Sequence, residues 1–259
     1  MILAIDIGNT TTNFGIFDAK TLTSQCSIAT QPWRTAEEIT LQLKALAAAR
    51  KLHLSKAKEI LICSVVPRMA VALGQALKSL EAVPIRMVGQ DVEVPLKNKY
   101  TYPEQVGQDR LVGAYAALKA YKRDCIVADF GTAITIDVVT KSGEYLGGVI
   151  APGLEISLEA LASRTALLPK VELKEPPELL GRDTASSIRS GILYGGVALC
   201  DGLTTRLKRQ YAPKAVVVAT GGASPLIAKH ARTIDHLRPN LVLDGLLLLA
   251  HGRGITEAS

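Results

Sequence analysis

Aromatic residues are scarce in this chain: one Trp, three Phe and seven Tyr make up 4% of its 259 residues. No basic stretch is interleaved with stacking rings, and no zinc-finger or RNA-recognition signature occurs, so a nucleic-acid reader is not expected. Cysteine is equally thin. Cys26, Cys63, Cys125 and Cys200 stand far apart in apolar or mixed surroundings without metal-ligand spacing, which reads as buried free thiols. The four histidines, His53, His230, His236 and His251, have neither metal spacing nor a nucleophile partner, and surface or satisfied structural roles suit them. Long apolar runs are missing too. LVLDGLLLLA carries Asp244 and is too short to span a bilayer, and Asp6 breaks the opening MILAIDIGNT before a signal-peptide core forms. These gaps predict a cytoplasmic protein without membrane attachment.

Three common nucleotide-site signatures are absent as well. There is no GxxxxGK[ST] loop and no GxGxxG after a strand, which removes P-loop and Rossmann readings. Asp129-Phe130-Gly131 spells DFG, but without HRD and APE it is a coincidence rather than a protein-kinase signature.

The chain that remains is 48% hydrophobic and 21% charged, the balance of an aliphatic-rich α/β protein able to bury a core. Its formal net charge of +6 is spread along the sequence rather than gathered in a tract, and reads as background. ILAIDIGNTTTNFGIFD predicts two strands around a tight Gly-Asn-Thr turn, with LTSQCSIAT as a third strand. Thr35-Ala-Glu-Glu38 is a capping-box pattern, and the apolar spacing after it predicts a helix to about Leu52. With EILICSVVP, MAVALGQALKSL and PIRMVG following, this half reads βββαβαβ. Residues 92–104 lack periodicity and read as a loop. Beyond it a helix in VGQDRLVGAYAALKAY leads to three strands in CIVADFGTAITIDVVTKSGEYLGGVIAPG. PGLEISLEALASRTALLP and TASSIRSGILYGGVALCDGLTTRLKRQY have helical character, KAVVVATGG is a strand entering a Gly-Gly turn, and residues 241–251 form a last helix.

AIDIGNTT and VADFGTAIT share one layout: apolar strand, Asp, one residue, Gly, then hydroxyl side chains. Their aspartates, Asp6 and Asp129, are 129 − 6 = 123 positions apart, about half the chain, which suggests duplication. In the first turn Gly8 lets backbone amides approach an anion, Asn9 and the threonines add neutral donors, and Asp6 can hold Mg²⁺ or its water shell. In the second, Thr132 and Gly131 offer the same to a phosphate, and Asp129 adds another carboxylate. Two carboxylates beside a triphosphate require cations. Plain hairpin turns remain an alternative for either motif taken alone. Gly107-Gln108-Asp109-Arg110 supplies a carboxylate able to orient a hydroxyl and an arginine able to meet an anion, although an acid in a helix's first turn also serves the helix dipole. Gly221-Gly222 admits a nucleotide close to the backbone, or is a simple strand-to-helix turn.

Six stretches in order carry a family resemblance: DIGNTTTNFGIF (6–17), SVVP (64–67), YPEQVGQDRLVGAYAA (102–117), DFGTAITIDVV (129–139), GGVIAPG (147–153) and GRDTASSIRSGILYG (181–195). Together they resemble the type III pantothenate kinases over nearly the whole chain. The resemblance implies duplicated ribonuclease H-like halves of the actin-like ATPase superfamily, each a mixed five-stranded sheet with helices, with a cleft between them. Residues 1–104 would form the N-terminal half and 105–259 the C-terminal half with dimerisation helices. ATP would be bound by Asp6, Ile7, Gly8, Asn9, Thr10, Thr11, Thr12, Asn13 and Thr132. Mg²⁺ would sit at Asp6, directly or through water, and a monovalent cation, K⁺ or NH₄⁺, at Asp129. Pantothenate would be met by Tyr100, Gly107, Gln108, Asp109, Arg110 and Thr184, with Asp109 as catalytic base, in a homodimeric enzyme that makes 4'-phosphopantothenate, the first step of coenzyme A biosynthesis. Two alternatives stay open: another small-molecule kinase or polyphosphate hydrolase of the superfamily, and a nucleotide-binding regulatory or accessory protein.

Overall fold

The computed structural model describes residues 1–50, 56–80 and 83–252. The first half follows the expected pattern. Strands β1 (Ile2–Ile7), β2 (Thr11–Asp18) and β3 (Thr21–Ala29) form an antiparallel meander, and β4 (Glu59–Ser64) and β5 (Ile85–Met87) extend it in parallel, giving the order β3-β2-β1-β4-β5. Central β1 and β4 are apolar nearly throughout because both faces are covered, whereas edge strand β3 alternates exposed and partly buried residues. Two helices, α1 (Ala36–Arg50) and α2 (Pro67–Leu80), complete the pattern. On α2, Met69, Ala70, Leu73, Ala76 and Leu77 recur at helical spacing and enter a core with Ile5, Ile7, Ile60 and Ile62. The capping box at α1 forms in both directions: Thr35 N donates to Glu38 Oε2 at 2.9 Å, and Glu38 N to Thr35 Oγ1 at 3.3 Å. The expected end of α1 near Leu52, and His53, lie outside the described residues.

Residues 92–104 contain more structure than their composition predicts. A two-residue strand β6 (Lys97–Asn98) and a single 3₁₀ turn (Pro103–Gln105) precede α3 (Gln108–Tyr121). Next come β7 (Cys125–Phe130), β8 (Ala133–Val139), β9 (Glu144–Pro152), α4 (Leu154–Arg164), α5 (Thr184–Tyr211), β10 (Val216–Thr220), α6 (Ser224–Ala228), β11 (His236–Leu237) and α7 (Leu241–His251). Helix α4 stops short of the expected stretch at Thr165, whose backbone is extended and whose hydroxyl donates to Leu161 O at 2.7 Å. The second sheet has the order β11-β10-β7-β8-β9-β6. Five of its strands repeat the topology of the first sheet. The sixth, β6, corrects the five-stranded expectation: it is an edge addition held to β9 by backbone bonds, from Lys97 N to Gly143 O and Lys99 N to Tyr145 O. A separate core of Ile126, Ala128, Ile134, Ile136, Leu193 and Val217 lies under this sheet.

The chain divides into two compact units. One takes in Met1–Pro95, Glu104–Val112 and the chain from Val242; the other takes in Leu96–Pro103 and Gly113–Leu241.

Candidate active site

In the first unit the chemistry gathers at the carboxyl ends of parallel strands, where open α/β sheets commonly bind ligands. Asp6, the penultimate residue of β1, pairs in register with Asn13 on β2 and with Cys63 on β4. Gly8 N donates to Thr11 O at 3.0 Å and closes the turn. Asn9 and Thr10 are exposed at its tip, Thr11 and Asn13 partly so, and Ile7 and Thr12 point inward with β-strand alternation. Thr12 Oγ1 lies 2.9 Å from Thr30 Oγ1, which donates at 2.8 Å to Gly8 O. Thr12 therefore braces the turn from beneath. Ser27 Oγ donates to Asn13 Oδ1 at 2.8 Å, which leaves the Asn13 amide nitrogen to donate to the Asp6 carboxylate.

The start of α3 is fitted onto the same strand ends. Gly89, after β5, has φ +84°, and a Cβ there would stand 2.8 Å from Gln108 Cδ. At Gly107 a Cβ would overlap Asp109 Oδ1 and touch Val65, so both glycines let the helix start sit close. Asp109 Oδ1 accepts from Arg110 N at 2.8 Å. Burial raises the Asp6 acid to about 7, the nearby Asp109 charge adds to the rise, and the Asn13 hydrogen bond partly opposes it. Cys63, fully buried beside Asp6 on the neighbouring strand, has its thiol pushed well up by burial and by the same two carboxylates. An acid whose proton affinity is raised by burial and by the charge of a second carboxylate marks a place suited to a cation.

The second unit repeats the design with different detail. Asp129, partly buried near the end of β7, pairs with Thr220 on β10. Gly221, at φ +88°, seats its backbone against the Asp129 carboxylate; a Cβ there would overlap Asp129 Oδ1 and stand 2.7 Å from the Phe130 backbone. Ala223 N donates to Phe130 O at 3.1 Å, locking the Gly-Gly turn to the Asp129 turn. Thr132 is partly exposed, and its carbonyl accepts from Gly153 N at 3.2 Å. Tyr100 lies on Gly147 of β9. Thr184 is exposed in the first turn of α5, behind a capping box between Asp183 and Ser186. The structure thus gathers Asp6, Asn13, Gly107, Gln108, Asp109 and Arg110 in one unit, while Asp129, Thr132, Tyr100 and Thr184 belong to the other.

The sequence profile of the type III pantothenate kinases matches residues 2–206. The chain belongs to the type III pantothenate kinase family. A member from Rubrobacter xylanophilus is 41% identical over 255 residues, covering 96% of this chain and 97% of its own length. Another from Moorella thermoacetica is 39% identical over 250 residues, covering 96% and 98%. Among solved structures, a Sinorhizobium meliloti protein assigned as a 2-dehydro-3-deoxygalactonokinase superposes with a TM-score of 0.59 at 13% identity, over 100% of this chain and 99% of that one. The fold is that of the actin-like ATPases and the sugar kinases related to them.

Membership in the type III pantothenate kinases gives the buried contacts a context. Cys63, Ser27 and Thr30, which fix Asp6, Asn13 and the first turn, carry no local signal and are found only through strand register. Gly221 is visible in the sequence as half of a Gly-Gly turn, but its pairing with Asp129 is not. Of the histidines, His230 Nε2 lies 2.8 Å from Glu175, His236 stacks on Tyr121, and His251 Nε2 lies 3.0 Å from Ala19 O. No group of three or more His, Cys, Asp or Glu side chains able to hold a metal occurs among the described residues. No helix among them is long and apolar enough to cross a membrane.

Proposed function

We infer that this chain transfers the γ-phosphoryl group of ATP to the primary hydroxyl of pantothenate, giving 4'-phosphopantothenate for coenzyme A biosynthesis. The observation that carries the reading is the Asp6–Asn13–Asp109 cluster at the strand ends of a chain in this family. Phosphoryl transfer asks the protein mainly for positioning and charge stabilisation. Asp109, presented by the first turn of α3, orients the acceptor hydroxyl and takes its proton, and Arg110 meets the substrate's negative charge. The exposed Asn9 and Thr10 with Gly8, Thr11 and Asn13 hold phosphate oxygens, helped by Thr132, while Ile7 and Thr12 keep the turn in shape. Asp6 holds Mg²⁺ directly or through water. What that ion supplies is neutralisation of the phosphate charge, which relieves the repulsion with Asp109. Asp129, crowded by the Gly221 backbone, takes the monovalent cation, K⁺ or NH₄⁺. Tyr100, Gly107, Gln108 and Thr184 contact pantothenate. A cytoplasmic homodimer completes the reading.

The test is ADP release by purified protein with Mg-ATP and pantothenate, set against sugars and polyphosphate as acceptors and repeated with K⁺ exchanged for Na⁺. Pantothenate-dependent release that weakens in Na⁺ is expected. Release with a sugar alone would move the chain to another reaction, and nucleotide binding without release would favour a regulatory protein.

A further inference from the structure

Strand β9 carries an irregularity where Tyr100 rests on it. Val138 of β8 faces Gly147, but the next residue, Val139, faces Tyr145, so Leu146 is the extra residue of a β-bulge. Gly147 closes the bulge at φ +117°, a conformation that side-chain-bearing residues rarely adopt. Its bare Cα face is occupied by the Tyr100 ring: a Cβ on Gly147 would stand 3.3 Å from Tyr100 Cδ2 and 3.4 Å from Cε2. Both flanks of the bulge are tied to one buried acid. Tyr145, 0% exposed, donates from its hydroxyl to Asp137 Oδ1 at 2.8 Å, and Asp137 is itself 2% exposed. Gly148, on the other flank, pairs with Asp137 and lies so close that a Cβ would overlap Asp137 Oδ1. From the opposite side, Asn98 Oδ1 accepts from Tyr100 N at 3.0 Å and Asn98 Nδ2 donates to Pro103 O at 3.2 Å, fixing the backbone that carries the ring.

We propose that the bulge at Gly147, clamped on both flanks by Asp137 through Tyr145 and Gly148, is a positioning device that holds the Tyr100 ring in place for pantothenate. The inference rests on the reading of Tyr100 as a pantothenate contact. A buried carboxylate and an inward tyrosine hydroxyl are unfavourable in a sheet interior unless they are bonded together, and the bulge is where this pair has a geometric effect. An irregular strand re-aims what packs on it, and among the described residues, the chain neighbours of Gly147 aside, the atoms within 4 Å of its Cβ position belong to the Tyr100 ring.

Steady-state kinetics and melting curves of Gly147→Ala, Tyr145→Phe, Tyr100→Ala and the double variant Gly147→Ala/Tyr100→Ala test this. Gly147→Ala should raise KM for pantothenate roughly tenfold, the scale of one lost packed contact, with kcat and KM for Mg-ATP within about twofold of the parent. Tyr145→Phe, a milder change that keeps the ring, should move the same constant in the same direction. In the Tyr100→Ala background the effect of Gly147→Ala should vanish, because a residue acting through the ring has nothing left to act on. Additive effects in the double variant, or a uniform loss in all three constants, would overturn the positioning role while leaving the kinase reading intact. An unchanged KM for pantothenate in Tyr100→Ala would remove Tyr100 as a substrate contact, and the proposal with it.

Discussion

Asp6 and Asp109 are neighbours of like charge with different tasks, and single substitutions separate them. Asp109→Asn keeps the shape and the hydrogen bond to Arg110 N but removes the proton acceptor. Turnover is expected to fall by roughly 10²–10⁴-fold with Mg-ATP affinity and melting temperature preserved, as single-turnover and nucleotide-titration measurements would show. Unchanged turnover would take Asp109 out of the role. Asp6 makes a different prediction, about stability. Its acid is raised to about 7 from an ordinary 3.8, so the folded state binds the proton more tightly than the unfolded chain. The stability it contributes is therefore complete below about pH 4, declines as pH rises, and is lost above about 7. A rise of that size corresponds to about 4 kcal/mol, and partial solvent access lowers this to on the order of 2 kcal/mol. Without ligand, Asp6→Asn should melt higher than the parent at pH 8 and close to it at pH 4, while losing activity at both. Equal melting differences at the two pH values would show that Asp6 is not ionised under strain.

At the scale of elements, the strand-to-helix turn after β10 exists to bring backbone against a carboxylate. Gly221→Ala would force a left-handed residue and a Cβ into Asp129 and the Phe130 backbone at once. The expected result is a loss of about 2 kcal/mol or more in denaturant unfolding together with weakened K⁺ dependence. A variant of parental stability would mean the turn can move away. This contact also shows why parts of the site are hidden from sequence reading. Asp6, Asp129, Thr132 and the 107–110 segment announce themselves because each motif is local. The Gly221–Asp129 and Asp6–Cys63 pairs depend on parallel strands far apart in the chain, and no local pattern encodes their register. Likewise β1 to β5, α1 and α2 are legible from period and caps, but α6 has only five residues and β11 only two, too few to show a period. Strand β6 has no pattern of its own, because its existence depends on β9's free edge. Thr12 is the opposite case: the period-2 alternation of β2 places it inward, although by composition the run of three threonines reads as three equal phosphate donors.

Taken whole, the molecule repeats one sheet topology twice, yet its first unit is not contiguous in sequence. The last helix, α7, belongs with strands made more than two hundred residues earlier. Leu243 meets the bare face of Gly15 on β2, where a Cβ would stand 3.1 Å from Leu243 Cδ1, and His251 reaches Ala19 O beyond the same strand. Leu243, Leu246, Leu247 and Leu249 are all buried on this helix. At about 1.5–3 kcal/mol for each buried aliphatic side chain, four contribute roughly 6–12 kcal/mol. That is comparable to the entire net stability of an ordinary domain, about 5–15 kcal/mol. A chain stopped after Asn240 should therefore fail to fold its first unit, appearing as aggregate or as protein with little cooperative melting. The point variant Leu243→Ala, which keeps the helix, should lose about 2–5 kcal/mol and stay active at low temperature. If the shortened chain instead melted cooperatively near the parental temperature, the returning helix would be an accessory, and the first sheet's own core of Ile5, Ile7, Ile62 and Leu73 would have to be sufficient alone.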